Sequence, residues 1–287
     1  MNVKLPFILC FFYSAAAIAQ SNYTTTGIFS FLQPLPVPSE YEAGPGQLTK
    51  DGAHFILGLT SGDFENQEEM NSNIYSYNLK ATGSTPSITS YNLPNAEDSV
   101  RYFQCSASNG ERAIVFVVNA YGGWSDNQLG TAEKISEGKF GNVRPLTEAN
   151  DDELSDAYPW LSGDGLKLYF SRNFILYYAE RNSLSDKFST PVPVKYLGDV
   201  NLEIVSCWLT PNEKIMYFIS NNNIYKCTRK NLTSAFSFPE LYTTEFKDFY
   251  FIAGLSFMPD KKTMFIYYSD ESTQQILKYK LKKGKAW

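Results

Sequence analysis

Short apolar and aromatic runs recur from about residue 46 to residue 281, and Gly, Pro, Asn and Ser break the chain between them. Runs of six or seven residues that are alternating or continuously apolar predict β-strands. No window of about ten residues keeps a helical period. Three segments align without gaps: DAYPWLSGDGLKLYFSR (156–172), EIVSCWLTPNEKIMYFISN (203–221) and FIAGLSFMPDKKTMFIYYSD (251–270). Their turn residues Asp164, Asn212 and Asp260 are 48 apart, as are Phe140, Phe188 and Phe236 upstream, with Pro145, Pro191 and Pro239 following. Two looser copies place Asp51-Gly52 and Asn109-Gly110 at the turn, so the spacings run 58, 55, 48 and 48. Insertions at 61–73 and 120–128 account for the excess. A fixed period of this length is the mark of a repeat architecture.

Each copy reads as four strands. Strand A ends at the turn, where Asp-Gly or Asn-Gly tolerates positive φ. Strand B is 54–60, 114–119, 166–171, 215–220 and 264–269. Strand C is 73–79, 128–135, 175–181, 223–228 and 275–281, and strand D begins near the Phe landmark. The fifth copy stops at strand C. The missing strand is found upstream: Phe29-Ser30 with Pro34 repeats the landmark 22 residues before Asp51, against 24 in the later copies. Segment 27–34 is therefore expected to complete the last sheet. The fold class is all-β: a five-bladed β-propeller of four-stranded antiparallel blades, its ring closed by the N-terminal strand in the last blade. One domain is expected over 20–287.

The third copy resembles the TolB-type, WD-like propeller repeat, roughly P-x-[FWL]-S-P-D-G-x-x-[IL]-x-F-x-[ST], through Pro159, Trp160, Ser162, Asp164, Gly165, Leu168, Phe170 and Ser171. FGNVRPL…DD (140–152) and FSTPVPVKYLGDVN (188–201) resemble repeats of exported envelope proteins of the Bacteroidetes type. Gly163, Asn212-Glu213 and Asp260-Lys261 depart from the motif and leave the turn type open. The resemblance implies an exported binding or scaffolding module and carries over no catalytic residue.

Residues 1–19 read as a cleavable signal peptide: Lys4, an apolar stretch from Leu5 to Tyr13, and Ala17-Ile18-Ala19. The expected localisation is secreted or periplasmic. No later run is long enough to form a transmembrane segment. Without residues 1–19 the chain keeps 24 basic and 30 acidic side chains, which argues against a nucleic-acid partner. Cys105, Cys207 and Cys227 then remain, an odd number that fits no zinc pattern; buried thiols or one disulfide are both open.

An acidic residue precedes strand A in every copy: Glu42, Asp98, Asp156, Glu203 and Asp248. At one mouth of the channel these would bind a basic peptide, a sugar or a cation, calcium being the metal that oxygen ligands favour. As solvated loop acids they would bind nothing. No cofactor is expected. The cluster Glu148, Asp151, Asp152, Glu153 and Asp156 lacks the spacing of a calcium loop. Tyr121 and Trp124, in the loop AYGGWSD, offer an aromatic platform or a local mini-core. A propeller glycoside hydrolase would need a carboxylate pair, for which Asp98, Asp156 and Glu203 are the candidates. His54 is the single His, so any Ser-His-Asp triad depends on it. The sequence favours a non-catalytic module for a protein or glycan partner, held at the channel mouth or by the long loops. A propeller glycosidase and a purely structural envelope component are the rivals.

Overall fold

The computed structural model describes residues 23, 27–62, 71–79, 88–91, 93, 100–120, 127–260 and 262–283. The signal-peptide residues 1–19 lie outside them. Among the described residues twenty-one strands form five antiparallel sheets. Blade I comprises β2 (Glu42–Ala43), β3 (Gln47–Leu48), β4 (His54–Ser61), β5 (Asn71–Asn78) and β6 (Ile88–Ser90). Its innermost strand is split, with β2 and β3 both pairing β4. Blade II is β7 (Val100–Ala107), β8 (Ala113–Ala120), β9 (Asn127–Ser136) and β10 (Lys139–Pro145). Blade III is β11 (Asp156–Leu161), β12 (Lys167–Arg172), β13 (Ile175–Glu180) and β14 (Val192–Pro193). Blade IV is β15 (Ser206–Leu209), β16 (Ile215–Ser220), β17 (Asn223–Thr228) and β18 (Glu240–Thr243). Blade V is β19 (Phe251–Phe257), β20 (Thr263–Ser269) and β21 (Gln274–Leu281), completed by β1 (Phe29–Pro34).

The expected closure is therefore present. β1 pairs β21 from Phe29↔Leu281 to Pro34↔Leu277. Innermost strands touch in a closed series, β3–β7–β11–β15–β19–β3. This leaves no blade with an uncovered face. Polar side chains stitch the ring at its centre. Leu48 N donates to Ser256 Oγ, Gly254 N to Ser206 Oγ, Leu161 N to Ser106 Oγ and Tyr158 N to Gln104 Oε1. Gln47 crosses from blade I, accepting from Ser106 Oγ and donating to the Pro159 carbonyl. Innermost strands have no neighbour on the channel side, so they bond to the next blade through side chains. Gln104, Tyr158 and Gly254 mark bulges on three of them, each with φ near +50°.

The A–B turns share one construction. Asp51, Asp164 and Asn212 each take a hydroxyl from the residue two before and a backbone N–H from the residue two after. These are Asx turns. Blade II differs from the sequence alignment by one residue. Ser108 N bonds Ala113 O just as Ser162 N bonds Lys167 O, so Gly110, not Asn109, holds the Asp164 place. The register shift puts Glu111 (φ 56) where blade III has Gly165 (φ 80), and Glu213 (φ 53) stands there in blade IV.

The Phe landmark also has a physical cause. Arg181 donates Nε to Gly165 O and Nη1 to Leu184 O, and its guanidinium lies over Phe188. Arg229 repeats this with Glu213 O, Leu232 O and Phe236. Phe188 and Phe236 precede strand D and do not belong to it, because each is held under an arginine.

Cys105, Cys207 and Cys227 are buried free thiols. Burial pushes all three up, Cys227 to about 12. A thiol reagent should therefore find none of these three cysteines reactive in the folded chain near pH 8 and all three reactive after denaturation. Rapid labelling of even one without denaturant would contradict this packing.

Candidate functional site

The described members of the predicted acidic ring differ in their surroundings. Asp156 is fully buried and belongs to the fold. Arg172 Nε donates to its Oδ1 at 2.7 Å and Nη2 to its Oδ2 at 2.9 Å, while Asp151 N donates to Oδ2. Burial pushes the Asp156 carboxyl up, against the pull of the Arg172 guanidinium. The pair ties loop 146–155 to β12. Glu42 accepts Gln274 Nε2 at 3.0 Å, joining blades I and V. Glu203 and Asp248 are exposed on the loops leading into blades IV and V. Asp98, Tyr121 and Trp124 lie outside the described residues, as do most of the insertions at 61–73 and 120–128. Among the described residues no three His, Cys, Asp or Glu side chains gather as a metal site. In the acidic cluster, Glu148 pairs with Arg144 at 3.3 Å. Asp151 Oδ1 accepts the amides of Glu153 and Leu154.

His54 stands in a polar group between blades I and II. Its Nδ1 is 2.8 Å from Ser76 Oγ, and Glu111 receives Tyr91 OH at 2.6 Å and Lys134 Nζ at 3.3 Å. Ser76 also donates to Glu111, at 3.4 Å. Ser, His and Glu thus meet, but one ring nitrogen faces both the hydroxyl and the carboxylate. A relay needs the two on opposite nitrogens. The arrangement recurs without histidine or serine between blades III and IV. There Glu213 receives Lys167 Nζ, Arg229 Nη2 and Tyr169 OH at 3.1–3.4 Å. Its repetition identifies it as a wedge between blades.

An exposed apolar surface lies at the end where strand D leads to strand A, between blades III and IV. Asn173 (φ 46) and Phe174 (φ 62) form the B–C turn, closed by Arg172↔Ile175. Two positive φ values define a type I′ hairpin, which favours Asn and Gly. Blade IV obeys that rule with Asn221-Asn222, closed by Ser220↔Asn223. Asn222 uses its side chain structurally, donating to Phe249 O and accepting from Ile252 N. Phe174 makes the opposite choice. A bulky side chain occupies a left-handed position and is 51% exposed, beside Ile175 at 53%.

Next to this turn is a cavity of about 290 Å³ lined by Ile175, Val194, Tyr196, Asp199, Leu202 and Ile204, among others. The Tyr196 hydroxyl is buried with no hydrogen-bond partner among the described residues. Burial pushes its phenol well up. Leu197, 65% exposed, adjoins the cavity wall. Glu203 sits between the lining residues Leu202 and Ile204. Among the described predicted acids it is the one beside an apolar recess.

Phe174, Ile175, Leu197 and Tyr196 were absent from the sequence-derived candidates. The signal available was a mismatch between copies: Phe174 replaces an Asn at a turn that wants one. Lys50 is a second mismatch, standing where other copies carry Asn109, Gly163, Pro211 and Pro259.

No family model and no curated protein matches this sequence. Solved structures do resemble it. A luciferin-regenerating enzyme superposes with a TM-score of 0.51 at 9% identity, over 86% of this chain and 93% of that one. Periplasmic gluconolactonase PpgL of Pseudomonas aeruginosa gives 0.48 at 8% identity, over 84% and 73%. Puromycin hydrolase gives 0.48 at 11% identity over 87% of this chain, which spans only 36% of that protein. At such identities a likeness speaks for the fold alone.

Proposed function

We propose that this chain is an exported, non-catalytic binding module of TolB-like character that holds a protein partner at the D–A end of blades III and IV. The observation that carries this reading is Phe174. Left-handed backbone under a bulky residue costs about 1–2 kcal/mol, and here the side chain is turned toward solvent. Strain kept for an exposed aromatic beside Ile175, Leu197 and a 290 Å³ recess fits an anchor for a partner's apolar side chain. The aliphatic neighbours favour a protein over a glycan. Asp199 and Glu203 would give the rim its polar character and select a partner with basic groups there. Export rests on the signal-like pattern of residues 1–19.

Phe174→Asn is expected to act in opposite directions on stability and on binding. The turn becomes the Asn-Asn type of blade IV, so urea unfolding should show a gain of about 1 kcal/mol. Partner retention from envelope extract should fall at least tenfold relative to the parent chain. A partner retained equally by both forms, or a glycan bound independently of Phe174, would overturn the reading.

A further inference from the structure

Lys50 leaves blade I at the A–B turn and reaches across the ring to blade III. Its Nζ lies 3.8 Å from the centroid of the Trp160 ring. That nitrogen is buried and has no hydrogen-bond acceptor among the described residues. Trp160 Nε1 and Gln104 Nε2, also on the innermost strands, are buried donors in the same condition. Cys207 and Glu213 are near enough to favour the charged amine, yet burial outweighs them and brings Lys50 down from 10.5 to about 7. The Cys207 thiol is itself pushed up by burial, so it supplies no thiolate counter-ion. Glu213 is already shared by Lys167 and Arg229. A charged Lys50 would make three cations around one carboxylate. A desolvated amine in such surroundings keeps its lone pair and is a nucleophile.

We propose that Lys50 is a carbamylation site, whose buried and unpartnered amine over Trp160 takes up carbon dioxide. The Nζ lone pair forms the N–C bond, one C=O π pair moves onto oxygen, and one N–H proton leaves to solvent. The product is an Nζ-carbamate of charge −1, formed with no oxidant, reductant or further reactant. Carbon dioxide is small and uncharged, so it reaches a buried amine that larger electrophiles do not. The carbamate brings two acceptor oxygens beside the Trp160 indole, whose buried N–H has no acceptor among the described residues. This site does not depend on the partner surface proposed above.

The test uses the full chain in ¹³C-bicarbonate near pH 7.5. A side-chain carbamate resonance should appear in the parent protein and be absent from Lys50→Arg, whose guanidinium stays protonated and cannot form it. Trapping with a trialkyloxonium reagent, followed by peptide mass spectrometry, should place the ester on the peptide containing Lys50. This second measurement needs no variant, so it decides the matter even where Lys50→Arg fails to fold. At fixed dissolved carbon dioxide the ratio of carbamate to free amine should fall about fiftyfold from pH 7 to pH 6, because the neutral amine falls about fivefold and the proton released in the reaction adds about tenfold. A resonance that persists in Lys50→Arg, or ester found only on other amines, overturns the proposal.

Discussion

Replacing Asp156 with alanine should lower stability by about 3–5 kcal/mol, read as a shift in the urea midpoint at neutral pH. Asp156 is fully buried, and both its oxygens are bonded by Arg172. Removing the carboxylate leaves a guanidinium that is itself only 9% exposed, packed near Phe170 and Tyr177. Asp151, at 3.7 Å, is a distant substitute. The pair as a whole is worth less than this figure suggests. Burial raises the Asp156 carboxyl while the same contacts hold Arg172 above its usual value, so desolvation and attraction nearly offset. The double replacement Asp156→Leu with Arg172→Met should therefore be far milder than the single one. A single variant within 1 kcal/mol of the parent would show that Arg172 escapes to solvent, and the buried pair would not be the anchor of loop 146–155.

The second large effect concerns Lys50 and pH, measured in buffer free of carbon dioxide. Its folded value of about 7 lies below the ordinary 10.5. The unfolded chain thus binds more protons between those values. Stability should climb with pH from about 7 toward 10 and be flat, for this group, below 7. The full span is on the order of 4 kcal/mol. Buried tyrosines act oppositely and later, because Tyr77, Tyr242 and Tyr267 are raised to about 12 and destabilise only as unfolded phenols ionise near 10. Lys50→Met keeps the stem over Trp160 and removes the titration. It should flatten the profile between pH 7 and 9.5 and be the more stable form at pH 7. Parallel profiles for parent and variant would place the amine in water.

Much of the fold was legible because a propeller repeats its chemistry. The 48-residue period, the Asp or Asn of the turns and the lone strand at 27–34 are local signals, and each corresponds to a feature of the ring. The one-residue slip in blade II had a physical source. Asn109-Gly110 is a good turn signal in isolation, but the hydrogen bond from Ser108 to Ala113 sets the register and moves Gly110 into the Asp place. The candidate site was far less legible. Counting acids before strand A treated Asp156 and Glu203 as equals, and only their surroundings separate them. Arg172 lies on the strand paired to Asp156, whereas Glu203 meets solvent beside an apolar recess.

The sequence by itself determined the number of blades, the strand order within each and the way the ring closes, because periodicity and turn chemistry act over a few residues. The tertiary structure decided which charges are spent on packing and which remain available. That depends on neighbours 16 to 217 residues away, as with Arg172 on Asp156 or the Ile28 amide on Glu245. It also decided that Lys50 loses water and that Phe174 keeps it, since solvation is a property of the assembled blades and not of any segment.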